Sequence, residues 1–239
     1  NWAATNNFFI NNSDNPIPKI NADGMVLYLD ANQPTSYPTT GTSWYDLSGN
    51  ATIFTLYNNP IWNPGGWIEF DGTDDSADTN ASILRVGGSD TYTFDFLVNI
   101  ADNSANQTIM YNGTLSSTGF WFFKHRSGLG NRLVFHGYDG VNPRVDVLSS
   151  DVVPNAKWTR VGITYNGTTY QIYINGLVNG SPVTDNAIAP TTSTTNLGGG
   201  GAVGRLNGNI ALGYVYKKAL TPTEILQNYY QAPIVTDGL

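Results

Sequence analysis

Cysteine is absent from this 239-residue chain, so no disulfide, thiolate nucleophile or thiolate metal ligand enters the account. Histidine is almost absent as well, with His125 and His136 the only two. Zinc needs three or four close nitrogen or sulfur ligands, which this set does not supply. No nucleophile-elbow motif accompanies a His, so nothing supports a Ser-His-Asp triad. Gly198 to Gly201 lacks the Lys-Ser/Thr pair and the following helix of a phosphate loop. Charged residues make up only 12%, and glutamate is reduced to Glu69 and Glu224. The remaining balance is acidic, with a net charge of -7, which repels phosphates and anionic headgroups. Nucleic acid is therefore not an expected partner. No apolar run approaches the ~20 residues that a spanning helix needs, so no membrane insertion is expected.

What the chain has in quantity is aromatics, at 13%, and turn formers, with 26 Gly and 12 Pro. Asn-Gly pairs between alternating apolar runs are strong hairpin signals, because both residues tolerate positive φ. Two follow each other closely, Asn166-Gly167 and Asn175-Gly176. Residues 158–165 and 170–174 therefore read as antiparallel strands. Tyr92 to Val98 alternates strictly and places three aromatics on one face. Further strands are expected at 25–30, 66–71, 107–111, 119–124, 132–136, 144–148 and 209–216. Thr221-Pro222-Thr223-Glu224 is a capping box with Pro at the first helical position, and it predicts one short C-terminal helix. About a dozen strands with turns every eight to twelve residues predict an all-β sandwich or jelly roll. Without disulfides it must hold by burial.

The expected organisation is an N-terminal arm over 1–22, one domain over 23–231 and a tail over 232–239. The chain opens at Asn1 rather than Met and reads as an excised or processed piece. Phe8, Phe9 and Ile10 are candidates to add as a strand, either to their own domain or to a neighbour. Seven Asn-x-Ser/Thr sequons, at Asn11, Asn50, Asn80, Asn106, Asn112, Asn166 and Asn179, serve as surface markers.

Five segments in order carry a family resemblance: Leu27 to Ala31, Ser43 to Asn50, Ile68 to Asp75, Trp158 through Gly176, and Gly208 through Glu224. Together they resemble a laminin-G-like domain of the concanavalin A-like lectin/glucanase class, of the kind found in phage, viral and bacterial surface proteins. The resemblance covers about residues 25 to 230. It implies a jelly-roll sandwich of two curved antiparallel sheets, of about six or seven strands each. It also implies calcium in many members, and glycan or protein recognition on a sheet face or loop edge. The chain departs from the pattern at Ala211, where many relatives carry Asp.

Three kinds of site merit testing. Glu69-Phe70-Asp71 with Asp74 imitates the Glu-x-Asp-x-x-Glu strand of jelly-roll glycanases, but Gly72 to Asp75 reads as a turn that removes the third acid from the strand. Asp71, Asp74, Asp75 and Asp78 form a cluster of hard oxygen donors suited to calcium, the one expected cofactor, Asp46 lies in a second oxygen-rich loop, and each also suits the capping of its own turn. Trp44, Tyr45, Trp121 and Tyr138 are candidate stacking rings for a sugar, with His125 and Arg126 beside them for an acidic group. Trp44, Tyr45 and Tyr138 are expected on loops. Lys124 belongs to the same basic cluster, expected as a solvated hairpin tip. The leading expectation is a non-catalytic surface module of a virion or extracellular assembly. It would bind a glycan or a surface protein, as a homo-oligomer or part of a larger assembly. The alternatives are a purely structural subunit assembled through its arm, and a glycanase.

Overall fold

The computed structural model describes residues 20–79, 90–101, 105–114, 118–124, 130–138, 140, 145–189, 191, 193–199 and 204–231. Phe8, Phe9 and Ile10, the loop carrying His125 and Arg126, and the tail 232–239 lie outside them.

Seventeen strands and one helix are found among the described residues. Sheet A runs β14 (Leu177–Val178), β13 (Thr169–Ile174), β12 (Trp158–Tyr165), β7 (Tyr92–Ile100), β17 (Asn207–Tyr216), β5 (Trp67–Asp71) and β4 (Ile61–Asn63). Strand β1 (Met25–Asp30) also pairs with β17, and β15 (Val183–Thr184) with β13. Sheet B runs β11 (Val145–Val152), β10 (Arg132–Tyr138), β9 (Thr118–Lys124), β8 (Gln107–Thr114), β16 (Thr195–Leu197), β6 (Ser76–Thr79), β3 (Ile53–Tyr57) and β2 (Ser43–Tyr45). The pairings are antiparallel, and the two sheets form the jelly-roll sandwich that the sequence predicts. The sheets hold nine and eight strands rather than six or seven. The surplus comes from pieces of two to four residues, such as β4, β14, β15 and β16, too short to show a period.

Alternation along β7 sorts its side chains. Tyr92, Phe94, Phe96, Val98 and Ile100 enter the core between the sheets, while Thr93, Asp95, Leu97 and Asn99 face outward. Phe120 and Phe135 of sheet B meet Phe94 across the gap, with ring centroids 4.7 and 6.2 Å from it. Each such buried ring contributes about 1.5–3 kcal/mol.

The two Asn-Gly turns differ. Asn175 and Gly176 both have positive φ, 50° and 78°, and close the two-residue link between β13 and β14. At Asn166-Gly167 only Gly167 does. There the Asn166 Oδ1 accepts from the backbone N–H groups of Thr168 (3.0 Å) and Thr169 (2.8 Å), so a side chain rather than a left-handed Asn makes the turn.

Helix α1 (Pro222–Gln231) begins at the expected capping box. The Thr221 N–H donates to Glu224 Oε2 at 2.8 Å, and the Glu224 N–H to Thr221 Oγ1 at 3.3 Å. The helix lies on the outer face of sheet A, where Leu220 and Ile225 join Leu97, Leu212, Tyr214 and Tyr216 in a second apolar cluster. Beneath it the Arg160 guanidinium makes a bidentate pair with Asp95, Nε to Oδ1 at 2.5 Å and Nη2 to Oδ2 at 2.8 Å. Asn228 of the helix donates to the Tyr216 hydroxyl (2.9 Å) and to Asp95 Oδ2 (3.3 Å), which ties helix and ion pair together. Burial works against the Arg160 charge, but the adjoining Asp95 carboxylate outweighs it and holds the guanidinium above its ordinary value.

The sequons mark the surface only in part, with Asn50 and Asn166 exposed. Asn112 and Asn179 are buried, and the Asn112 amide donates to Ser193 O and Thr195 Oγ1.

Candidate functional site

Sheet A takes the inner face of sheet B and α1 packs on sheet A, so neither covers the outer face of sheet B, although Trp121 and Asn196 on that face are only 9 and 7% exposed. One register row crosses all eight strands on this side. Ser43 lies opposite Thr55, Thr55 opposite Asp78, and Asp78 opposite Asn196. Asn196 then lies opposite Tyr111, Tyr111 opposite Trp121, Trp121 opposite His136, and His136 opposite Asp146. The row carries hydroxyls, an amide, carboxylates and rings, and no aliphatic side chain. At ~4.8 Å per strand it extends over roughly 34 Å.

Its aromatic part is fixed by local contacts. The Trp121 indole N–H donates to Thr108 Oγ1 at 2.6 Å. His136 meets Trp121 edge to face at 5.9 Å, and Tyr138 meets His136 edge to face at 6.3 Å. Tyr111 and Leu148 pack against Trp121 and Val134 in a small satellite cluster. On either side lie polar pairs: His136 Nδ1 contacts the Asp146 carboxylate, and Asn196 Nδ2 donates to Asp78. The Asn196 Oδ1 is shielded and has no hydrogen-bond partner among the described residues. Burial raises the Asp78 carboxyl above its ordinary value, and the Asn196 amide and Arg205 partly offset this.

The sequence-predicted residues are divided by this geometry. Trp121 and Tyr138 share the face. Trp44 does not: it is in β2 rather than a loop, opposite Phe54, and fully buried in the core. Its ring therefore packs between the sheets and is closed to a sugar. Tyr45, also in β2, is 40% exposed on the outer face, but β3, β6, β16 and β8 separate it from Trp121. Tyr138 likewise is in a strand, β10, and half-buried. Lys124 is not a solvated tip: it is buried at the end of β9, and its Nζ donates to Asn155. Sequence reasoning missed Tyr111, Asn196 and Asp146, considered His136 only for zinc and for a triad, and grouped Asp78 with the calcium candidates, whereas it pairs with Asn196 on this row.

Asp71, Asp74 and Asp75 come together after β5, their carboxylate oxygens all within 4.8 Å of one another. Asp46 is elsewhere, its carboxylate taken by the Tyr28 N–H (2.8 Å) and by Ser48 (2.7 and 2.8 Å). The three-Asp turn is also self-capped. Asp71 Oδ1 accepts from the Thr73 N–H at 2.7 Å, which holds its carboxyl below the ordinary value, and Asp75 Oδ2 accepts from the Asp71 N–H at 3.0 Å. Burial raises Asp75 instead. An all-oxygen set of three carboxylates fits a hard cation such as calcium, although Arg205 lies alongside, donating to Asp74 O at 2.7 Å. Glu69 and Asp71 share the outer face of β5, while Asp74 lies beyond the strand end in the turn.

An eight- and nine-stranded sandwich with one outer face bearing a polar and aromatic row is the architecture of lectin-like binding domains. The chain belongs to the concanavalin A-like lectin/glucanases superfamily, whose laminin-G-type family model matches residues 71–226. A search of curated proteins returns no match. Among solved structures the chain is similar to the binding domain of botulinum neurotoxin DC in complex with rat synaptotagmin II. The TM-score is 0.69 at 19% identity, over 89% of this chain and 52% of that one. It is similar to domain 4 of AbnA, an extracellular arabinanase of Geobacillus stearothermophilus, in complex with arabinotriose. Here the TM-score is 0.66 at 16% identity, over 84% and 96%. It also resembles the Trypanosoma rangeli sialidase, with a TM-score of 0.66 at 15% identity, over 93% and 34%. The chain thus spans about half the length of the neurotoxin domain that it matches. No helix of the described residues is long and apolar enough to cross a membrane.

Proposed function

We propose that this chain is a non-catalytic recognition module that binds a glycan on the outer face of sheet B, and that it works outside the cell or on a virion. The observation that carries the reading is the row from Asp78 through Asn196, Tyr111, Trp121 and His136 to Asp146. Sugar rings have apolar C–H faces and polar edges, and this row sets three adjacent rings between hydrogen-bonding groups. Peptides are usually captured along a free strand edge. Here every strand of the row except β2 and β11 is paired on both sides, so the face recognises through side chains. Support also comes from the arabinanase domain, which is in complex with arabinotriose, and from the neurotoxin binding domain, which is in complex with rat synaptotagmin II. The test is a glycan array with the full chain, repeated with Tyr111→Ala and His136→Ala. Bound glycans that both variants lose support the reading; binding unchanged in both removes it.

Calcium at Asp71, Asp74 and Asp75 belongs to this proposal as a structural ion that stiffens the turn between β5 and β6. A second reading, assembly into an oligomer, rests on Tyr45, Ile53 and Tyr57. They are 40, 42 and 49% exposed together on the outer side of edge strand β2 and its neighbour. Such an edge invites a partner. Light scattering of the full chain and of Ile53→Lys tests it: an oligomer that the charge dissolves supports the reading, and a monomer in both removes it.

A further inference from the structure

We propose a second saccharide site on the opposite side of the molecule, on the outer face of sheet A, built on Trp67 and Trp158. It does not rest on the sheet B reading. Another register row crosses this face: Trp158 lies opposite Asn99, Asn99 opposite Asn209, and Asn209 opposite Glu69. Trp67 is two residues from Glu69 on the same face of β5.

The two indoles are half-buried, with centroids 5.4 Å apart and planes at 60°. Their backbones belong to β5 and β12, three strand spacings apart, or roughly 14 Å. Rings rooted that far apart touch only if both lie down across β7 and β17. They do so over the cluster that contains Leu97, Ala211 and Leu212, and together make an apolar floor bent by the 60° between their planes. The chain is shaped to allow this. A Cβ on Gly65 would stand 2.0 Å from Cζ3 and 2.4 Å from Cη2 of Trp67, so only a glycine leaves room for that ring.

Polar groups beside the floor are left over. The Trp158 Nε1–H and the Asn209 Oδ1 are both shielded, and neither has a hydrogen-bond partner among the described residues. A donor and an acceptor in one row, next to the exposed Glu69 carboxylate, match a ligand rich in hydroxyls. No member of the row is a cation. Arg160, two residues from Trp158 on the same face, is tied to Asp95. The ligand class is therefore a neutral saccharide rather than an anionic one. Helix α1 covers the other end of this face, over Tyr216 and Asp95, and does not fill the same place.

The test uses the full chain and a panel of neutral trisaccharides (arabino-, xylo-, cello- and mannotriose), followed by calorimetry. Trp158→Phe keeps the ring and removes the N–H, and it should weaken binding about tenfold, the weight of one hydrogen bond. Trp67→Ala and Gly65→Ala, which remove or displace the floor, should weaken it further. Tyr111→Ala on the far face should leave this site untouched. Saccharide binding that Tyr111→Ala abolishes and that Trp158→Phe, Trp67→Ala and Asn209→Ala leave intact overturns the second site while sparing the first. Absence of binding across the panel also overturns it. Ile20 packs on the same cluster, so removal of residues 1–19 is the last arm. If it opens Trp67 and Trp158 to iodide quenching, the chain's own N-terminus is the occupant and the proposal falls.

Discussion

Replacing Asp95 with alanine should be among the most damaging single changes to this fold. Asp95 and Arg160 are each 2% exposed, and two hydrogen bonds join them. Arg160 also lies over the Tyr214 ring, 4.7 Å from its centroid, with no water access that could solvate it. Taking away the carboxylate strands a buried guanidinium that cannot shed its charge at any working pH. The cost of breaking such a pair from one side is about 3–5 kcal/mol. Asn228 loses an acceptor as well, which loosens α1. For a domain of this size that is a fall in Tm of roughly 6–20 °C. Replacing both partners with apolar residues, Asp95→Leu with Arg160→Met, removes the stranded charge and should recover most of the loss. Urea unfolding of Asp95→Leu, Arg160→Met and the double variant closes the cycle and gives the coupling energy. A loss under ~1 kcal/mol for Asp95→Ala, or a double variant no better than the single, would refute the reasoning.

Other outcomes follow from the same geometry. Trp44→Ala should cost about 3–5 kcal/mol in urea unfolding, as a buried core ring, whereas Tyr45→Ala one residue away should stay within ~0.5 kcal/mol. Calcium should raise Tm in the unaltered chain, and Asp71→Asn with Asp74→Asn should abolish that rise. Burial opposes the Glu224 charge, but Lys218 and the Thr221 N–H outweigh it and hold the carboxyl below its ordinary 4.5. A depressed folded-state value means stability that is present above 4.5 and lost as pH falls through the lower folded value. The difference in Tm between the unaltered chain and Glu224→Gln should therefore be full at neutral pH and shrink below about pH 4.5. Gly176→Ala should destabilise by more than ~1 kcal/mol by chemical unfolding. Its φ is +78°, and the new Cβ would meet the Tyr229 Cβ at 2.8 Å.

Local chemistry made much of the fold legible. The capping box at Thr221 and the Asn175-Gly176 turn depend on neighbours within four residues, and both form as their chemistry requires. The alternation of Tyr92 to Val98 announced a strand with one aromatic face, and that face is the core. Alternation does not say which face turns inward. In Ser43-Trp44-Tyr45 either ring could have been the buried one, and the choice came from Phe54 across the pair. The row on sheet B was illegible for the same reason at longer range. Asp78 and Asn196 lie in β6 and β16, four and three residues long, 118 positions apart in sequence. Tyr111, Trp121 and His136 become neighbours only through register, which no single strand encodes. The acidic cluster was visible as spacing, and Asp46 was legible as part of another loop, but Asp78 was not separable from the cluster, because its partner Asn196 is distant in sequence.

The central claim is that a saccharide lies against Trp121 and His136 on sheet B. Trp121 carries one indole N–H, and its resonance is assignable by loss in Trp121→Phe. Titration with the glycan picked out by the array should move that resonance and those of His136 and Tyr111 with one common saturation curve. Saturable binding that leaves all three unmoved would contradict the account.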